Sequence, residues 1–207
     1  MKTSKSIIFT LLFTTMLASC NMDKYPYDKI PLESAIESFA DCQKLRTGMY
    51  RDLRIIAVST NVLAAEIQAD GFLPLSYFGN QLGALYRWEA NASESTFSTI
   101  WSNSYVTIAQ CNLLIEGIKR LQTEGKFSDS ELPTVKNYLG EAHLIRAIAY
   151  SILVDKFCAT YDPATAENFY GVPIVEEYSP SADNTKYPSQ ATLAATYSFI
   201  KDDMKQA

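Results

Sequence analysis

The sequence has a single histidine, His143, and no pair of cysteines at the CxxC spacing of zinc or redox motifs. No carboxylate or cysteine stands at helical ligand spacing from His143, so neither a metal site nor a Ser-His-Asp arrangement is supported. A glycine-rich phosphate loop is also absent. We therefore expect no metal, no cofactor and no enzymatic activity. Three of the four cysteines, Cys42, Cys111 and Cys158, are predicted to be small buried apolar side chains.

Positive charge is scarce as well. The 207 residues carry a formal net charge of −5, and they contain no run of lysine or arginine. A nucleic-acid-binding protein normally presents a basic patch, so nucleic acid is not an expected partner. The chain is 47% hydrophobic and 12% aromatic, which is enough to bury a core. This composition predicts one folded domain, or the first part of a larger one.

An apolar run from Ile7 to Leu17 is too short to cross a bilayer, because a spanning helix needs about 20 apolar residues. Lys2 and Lys5 precede this run and small residues follow it, which is typical of an export signal. The run ends in LASC, which resembles a bacterial lipobox. Cleavage there would make Cys20 the first residue, carrying a diacylglyceryl group and fatty acyl chains such as palmitate. The alternative is an ordinary secretory signal with a cysteine beside its cleavage site.

Three segments follow from this interpretation. We expect residues 1–19 to be the signal peptide, residues 20–31 to be a tether after the lipidated cysteine, and residues 32–207 to form the folded domain. The tether is polar, contains two prolines and lacks periodicity.

Helical signals dominate the rest of the chain. A capping box at Ser34 and Glu37 predicts the start of the first helix. A shorter helix is predicted over residues 62–69, closed by Gly71 in the left-handed conformation. The clearest helix covers residues 96–121, and its apolar face is interrupted by Asn112, whose amide would need partners on a neighbouring element.

Two further helices are predicted towards the end of the sequence. One begins near Pro133, since proline is tolerated in the first turn, and runs to residue 157. The other carries four apolar residues on one face: Leu193, Tyr197, Ile200 and Met204.

The stretch YLGEAHLIRAIAYSILVDKF, residues 138–157, is apolar on almost every side, yet contains Glu141 and Arg146. Residues five apart lie about 140° around a helix, so these two charges cannot readily pair with each other. A charge that faces protein is costly unless it is paired and hydrogen-bonded. We therefore expect each charge to have its partner on a different neighbouring segment. Ala142 and Ala149 offer a smooth strip for close approach by a neighbouring helix.

The same stretch, followed by YGVPIV at residues 170–175, resembles the LxGEAxFLRAxxYxxLVxxYG…VPL motif of the SusD/RagB family of outer-membrane lipoproteins. Other blocks agree in order and spacing: GMYRDL, AEIQADG, YRWEAN, IWSNSYVTIAQCNLLIEGI and YPSQATLAATYSFIKDDMKQA. The resemblance covers nearly the whole chain, including the lipobox. Within it, Glu141, Arg146, Gly171 and Pro173 match the structural motif. His143 and Cys158 depart from the usual residues, and relatives continue well beyond residue 207, so we expect a truncated N-terminal portion.

The resemblance implies an all-α, tetratricopeptide-like scaffold of helical hairpins with long irregular loops. It implies a cell-surface lipoprotein, anchored in the outer membrane, that binds glycans or related nutrients without cleaving them. The implied partner is a SusC-like TonB-dependent transporter, to which the nutrient is delivered. The alternative is a lipid-anchored helical-repeat adaptor that acts only through protein–protein contacts.

An aromatic segment, residues 72–91, invites a functional interpretation, since exposed rings stack on sugars. Six residues in or beside it are candidate ligand contacts: Asp70, Tyr77, Tyr86, Arg87, Trp88 and Asn91. The alternative is that most of its rings form a satellite core that pins the loop to the helices. The adjacent Glu176 and Glu177 are expected to be solvated rather than a glycosidase pair.

Overall fold

The computed structural model describes residues 35–58, 60–73, 77, 79, 81–91, 94–180 and 183–207. The predicted signal peptide, the tether with Cys20, and Ser34 of the predicted capping box lie outside these ranges. The elements below all belong to one compact unit, Ile36–Ala207.

The described part of the chain is mainly helical, which confirms the expected fold class. Its helices are α1 (Phe39–Val58), α2 (Thr60–Gln68), α3 (Gly83–Tyr86), α4 (Ser95–Thr123), α5 (Leu132–Phe157) and α6 (Leu193–Gln206). Strands β1 (Tyr170–Pro173) and β2 (Gln190–Thr192) pair antiparallel, and short 3-10 helices cover Ala166–Asn168 and Asn184–Lys186. Among the described helices, none is both long enough and apolar enough to cross a membrane.

The ends of α1 and α2 differ from the expected ones. α1 begins at Phe39, because Ser38 and Asp41 make the reciprocal bonds of its first turn: the Ser38 hydroxyl accepts from the Asp41 amide and donates to the Asp41 carboxylate. At the end of α2 the left-handed residue is Asp70, with φ of 58°, and not Gly71. At Gly71 the backbone comes close to the preceding turn, since a Cβ there would lie 3.2 Å from the Glu66 carbonyl oxygen.

Helices that follow one another in the main stack are antiparallel. Asn112 on α4 faces Arg146 on α5, while Trp101, earlier on α4, faces Phe157, later on α5. In the same way, Arg146 faces Asp203 of α6 and Tyr150 faces Phe199. Such consecutive antiparallel pairs are the geometry of a helical-hairpin scaffold.

The main core lies between α4, α5 and α6. Its fully buried members include Ile108, Tyr150, Leu153 and Leu193. Trp101 packs against this core and meets the Phe157 ring edge-on, with centroids 5.0 Å apart. Ala142 and Ala149 are fully buried, as expected for residues at a close helix contact. Cys42 and Cys111 are buried and Cys158 is partly buried, all as free thiols.

Glu141 and Arg146 have partners on different helices, as their spacing predicts. Glu141 accepts two hydrogen bonds from Arg46 of α1, one of them 2.7 Å long. Arg146 is buried and donates to both carboxylate oxygens of Asp203, at 2.8 and 2.7 Å. It also donates to the Asn112 side-chain oxygen at 2.6 Å. This arrangement satisfies the predicted need of the Asn112 amide for a neighbouring element.

Asp203 was not among the predicted core residues. The apolar face predicted for α6 included Met204, but Met204 is 58% exposed and Asp203 is buried beside it. His143 approaches the same carboxylate, with its Nδ1 2.7 Å from Asp203 Oδ1. Burial by itself raises the pKa of Asp203, but the hydrogen bonds from Arg146 and His143 outweigh that effect and hold the pKa below its ordinary value.

The segment after β1 is fastened to α4 and α5 by side chains that bind its main chain. Tyr105 donates to the Pro173 carbonyl at 2.8 Å, and Asn112 donates to the Val175 carbonyl at 2.9 Å. The Tyr150 hydroxyl accepts from the Val175 amide at 2.7 Å. Burial raises the pKa of Tyr150 to about 12, so this phenol stays protonated at neutral pH. Gly171 allows the close approach of α6, because a Cβ there would lie 2.1 Å from the Thr196 hydroxyl.

We predict that Asp203→Asn lowers the free energy of unfolding by about 3 to 5 kcal/mol at neutral pH, because it leaves a buried guanidinium without its counter-ion. The folded-state pKa of Asp203 lies below the unfolded value of about 3.9, so its contribution is full above that value and is lost as the pH falls through the folded-state pKa. The difference between wild type and variant should therefore shrink in strong acid. Denaturant unfolding measured across pH checks both parts.

Asp202→Asn is the matched control, since Asp202 is the exposed neighbour and pairs with Lys205, at 2.7 Å, on the surface. We expect it to change stability by less than about 1 kcal/mol. Equal effects of the two substitutions would show that the buried pair does not hold α6 in place.

Candidate functional site

The predicted ligand segment is anchored by a small core of its own. Ala64 and Ile67 of α2 and Leu85 of α3 are buried together, and partly buried side chains pack around them: Leu82, Tyr86, Ala90 and Phe97. Tyr86 therefore behaves as the satellite-core interpretation expects. Phe78, another ring of this segment, lies outside the described residues.

The other candidate contacts are exposed to solvent. Tyr77 is fully exposed and Trp88 is 70% exposed. Asp70, Arg87 and Asn91 are exposed as well, and Arg87 donates to the Glu89 carboxylate at 2.7 Å. Two aromatic rings of this segment are thus exposed, and three polar candidates in or next to it are exposed as well. Their role in binding a ligand stays a prediction.

Trp88 is held in an unfavourable backbone conformation. Its φ is 56°, in the left-handed region of the backbone that residues other than glycine, asparagine and aspartate rarely adopt. The turn that imposes this conformation is closed by two hydrogen bonds, from the Trp88 amide to the Leu85 carbonyl and from the Glu89 amide to the Ala84 carbonyl. A large apolar ring is therefore displayed on a strained turn, which is common where a side chain serves function.

We predict that Trp88→Gly is more stable than Trp88→Ala by about 1 kcal/mol, because both remove an exposed ring and only glycine relieves the left-handed strain. Thermal melts of the two variants and the wild type measure this difference. The exposed Tyr170, whose φ is not positive, gives the control pair, Tyr170→Gly and Tyr170→Ala. There glycine should be the less stable of the two. The same order at both positions would contradict a strained turn at Trp88.

A second concave region lies around the segment that follows β1. A cavity of about 640 Å³ is lined by residues of 174–180 and 186–188, among them Glu176, Glu177, Lys186 and Tyr187. A neighbouring cavity of about 460 Å³ shares the two glutamates and extends to α4, α5 and α6. Both glutamates are exposed, as expected from the sequence. Their position between two cavities was not predicted, because it depends on how the loops fold over the helices.

The described residues contain no cluster of three or more histidine, cysteine, aspartate or glutamate side chains arranged to hold a metal ion. The Asp203 carboxylate beside His143 is a contact that the sequence did not indicate, since it joins residues 60 positions apart. The sequence feature that could have indicated this acid is Arg146, a charge on an apolar helix that requires an acid on a neighbouring helix. Arg146 pairs with that acid, so the observed contacts of this cluster join α5 to α6.

The family model described as SusD-like, starch-binding associating with outer membrane, matches residues 22–207 of this chain. No curated protein matches the chain significantly.

Solved structures resemble the chain in fold. A SusD superfamily protein from Bacteroides fragilis is 17% identical, with a TM-score of 0.66 over 81% of this chain and 38% of that one. A SusD superfamily protein from Bacteroides thetaiotaomicron is 23% identical, with a TM-score of 0.62 over 82% and 36%. A putative sugar binding protein from Bacteroides vulgatus is 23% identical, with a TM-score of 0.61 over 83% and 37%. The chain therefore spans less than two fifths of the length of these three proteins.

Proposed function

Because this chain belongs to the SusD-like family, we propose that it acts in a cell-surface lipoprotein that binds glycans or related nutrients and delivers them to a SusC-like TonB-dependent transporter of the outer membrane. The observation that carries this proposal is the family match over residues 22–207, since that family is described as starch-binding and associated with the outer membrane. On this proposal the chain binds its ligand without cleaving it.

Exposed aromatic rings on a separate small core support a binding role. A sugar ring presents apolar C–H faces and polar edges, so it is recognised by a flat aromatic surface beside hydrogen-bonding groups. Trp88 and Tyr77 supply such surfaces, and Asp70, Arg87 and Asn91 supply the polar groups. Because the rings do not carry the main core, they are free to contact a ligand without weakening the scaffold.

The proposed membrane anchor is a lipid on Cys20, near the N-terminus. Two acyl chains on one cysteine hold a protein in a leaflet stably, since each buried methylene contributes about 0.8 kcal/mol. The lipobox-like LASC at residues 17–20 supports Cys20 as the lipidated residue. On this basis residues 20–31 form the tether between the membrane and the folded unit.

A protein-contact adaptor remains the second candidate, and one observation favours it. Three apolar side chains close in sequence, Val58, Val62 and Leu63, are exposed where α1 gives way to α2. Grouped exposed apolar residues are typical of protein-interaction surfaces. The cavities of about 640 and 460 Å³ favour the ligand-binding function instead.

We predict that Cys20→Ala abolishes incorporation of a labelled fatty acid and moves the protein from the membrane fraction to the soluble one, because the thiol is the acceptor of the lipid. Labelling in the native bacterial host followed by fractionation measures both. Cys158→Ala is the control, since Cys158 is a partly buried thiol within the folded unit. Persistent labelling of the Cys20 variant would refute the anchor.

We predict that the protein binds an oligosaccharide with micromolar or weaker affinity. The free energy of binding is then about −8 kcal/mol at its strongest. Trp88→Ala should weaken this binding by about 1 kcal/mol or more without lowering the melting temperature, because it removes an exposed aromatic anchor. Calorimetric titration against a glycan panel and thermal melts measure the two effects. The control is Tyr170→Ala, which removes an exposed ring of β1.

If the protein is an adaptor, the titration should give another result. No glycan of the panel would bind, while a SusC-like transporter would still be recovered with the wild-type protein and lost with Val62→Asp. Unchanged affinity of the Trp88 variant for a glycan that the wild type binds would exclude the aromatic segment as the contact surface.

A further inference from the structure

A small cavity lies where α1 gives way to α2, against the side of α4. Its volume is about 20 Å³. Its lining combines three isoleucines of α1 and α4 with four polar, uncharged side chains: Thr60, Asn61, Thr99 and Asn103. A cavity must offer about 10 to 15 Å³ to hold one water molecule. This cavity therefore has room for one water molecule and for nothing larger.

One polar atom of this lining is buried without a partner. The Oδ1 atom of Asn61 is shielded from solvent and accepts no hydrogen bond within the described part of the chain. An amide oxygen in this position has lost its bonds to bulk water, so leaving it unpaired costs as much as a broken hydrogen bond. Buried polar atoms of folded proteins are nearly always paired, either with protein groups or with ordered water. Asn61 therefore requires a hydrogen-bond donor on the side of the cavity.

A metal cation fits this lining poorly. None of the four polar side chains is a carboxylate, whereas Ca²⁺ takes about six to eight oxygen ligands, several of them charged. Moving an ion out of water into a neutral cavity between isoleucines would also be costly. A buried water molecule needs about two to four polar partners, and the hydroxyl and amide groups here can both donate and accept.

We propose that this cavity is the binding site of one buried water molecule that bridges α2 and α4. The water donates a hydrogen bond to Asn61 Oδ1, in the first turn of α2. Its other hydrogen bonds go to the side chains of Thr99 and Asn103, which lie one turn apart on α4.

This water would help to set the position of the aromatic segment. α2 supplies Ala64 and Ile67 to the small core on which that segment rests. A hydrogen-bonded bridge from the start of α2 to α4 restrains the helix that carries these two residues. The inference concerns the support of the segment and not its ligand, so it goes beyond the proposed function and stands without it.

A high-resolution crystal structure of the protein tests the site directly. We expect one electron-density peak at about 2.7 to 3.2 Å from Asn61 Oδ1, and at a similar distance from a polar atom of Thr99 or Asn103. A cavity without density would overturn the proposal. A peak with the ligand distances of about 2.3 to 2.6 Å that Ca²⁺ shows would overturn it as well.

Relaxation dispersion of oxygen-17 water nuclei counts the long-lived internal water molecules in solution. Asn61→Leu nearly keeps the shape of the side chain and removes the acceptor, so we expect the count to fall by one. The matched control is Asn137→Leu, at an exposed asparagine of α5 outside this cavity, which should leave the count unchanged. Equal counts in the wild type and in Asn61→Leu would refute the bound water.

Thermal melts distinguish a hydrated cavity from a dry one. If water forms the bridge, Asn61→Leu should melt at a lower temperature than the wild type, because Thr99 and Asn103 lose their common partner. In a dry cavity the same substitution removes an unpaired buried oxygen, and the melting temperature should rise. A rise would therefore contradict the proposal.

Amide hydrogen exchange measures the restraint on α2. We expect faster exchange at Ala64 and Ile67 in Asn61→Leu than in Asn137→Leu, because local opening of α2 no longer breaks the bridge to α4. Equal exchange in the two variants would show that the water does not hold α2, which would overturn the bridge.

Discussion

The guanidinium of Arg146 lies in the interior of the helical stack, where an unpaired charge would cost several kcal/mol. Its hydrogen bonds run to Asp203 on α6 and Asn112 on α4, so both helices must stand at fixed positions beside α5. A shift of either helix by a fraction of a turn would leave a buried charge without its partner. Hydrophobic packing favours association of the three helices, and this ion pair selects one alignment among the packings that an apolar surface allows.

Asn112 links the buried Arg146 to the segment that follows β1. Its oxygen accepts from Arg146 and its amide group donates to Val175, so one side chain connects the buried charge to the segment that forms the cavity walls. Tyr105 and Tyr150 bind the same segment through Pro173 and Val175. The segment that lines both cavities is therefore held by residues of the helical stack. Glu176 and Glu177, which lie between the cavities, follow backbone that these hydrogen bonds fix in position.

The sequence predicted the helices and the separate partners of Glu141 and Arg146, because periodicity and the cost of a buried charge are local properties. It did not identify Asp203, since an acid on a helix is ordinarily assigned to solvent, and only the position of Arg146 in space explains its burial. Gly71 was expected to be left-handed, but aspartate also tolerates that conformation, and Asp70 adopts it. The sequence could not show which of Tyr86 and Trp88 packs on the small core and which is exposed. An irregular loop has no periodicity from which burial could be predicted. The cavities depend on contacts between distant segments.

The small core of Ala64, Ile67 and Leu85 has a consequence for how such a protein diversifies. The two cores meet through Phe97, whose ring contacts Phe157. Substitutions around the small core that lie away from Phe97 should therefore change the stability of the main helical stack little, since sites that share no contacts add nearly independently. Loops held in this way tolerate sequence variation, while the scaffold beneath them does not. The same helical stack can therefore present different recognition surfaces when the segment between α1 and α4 changes in sequence.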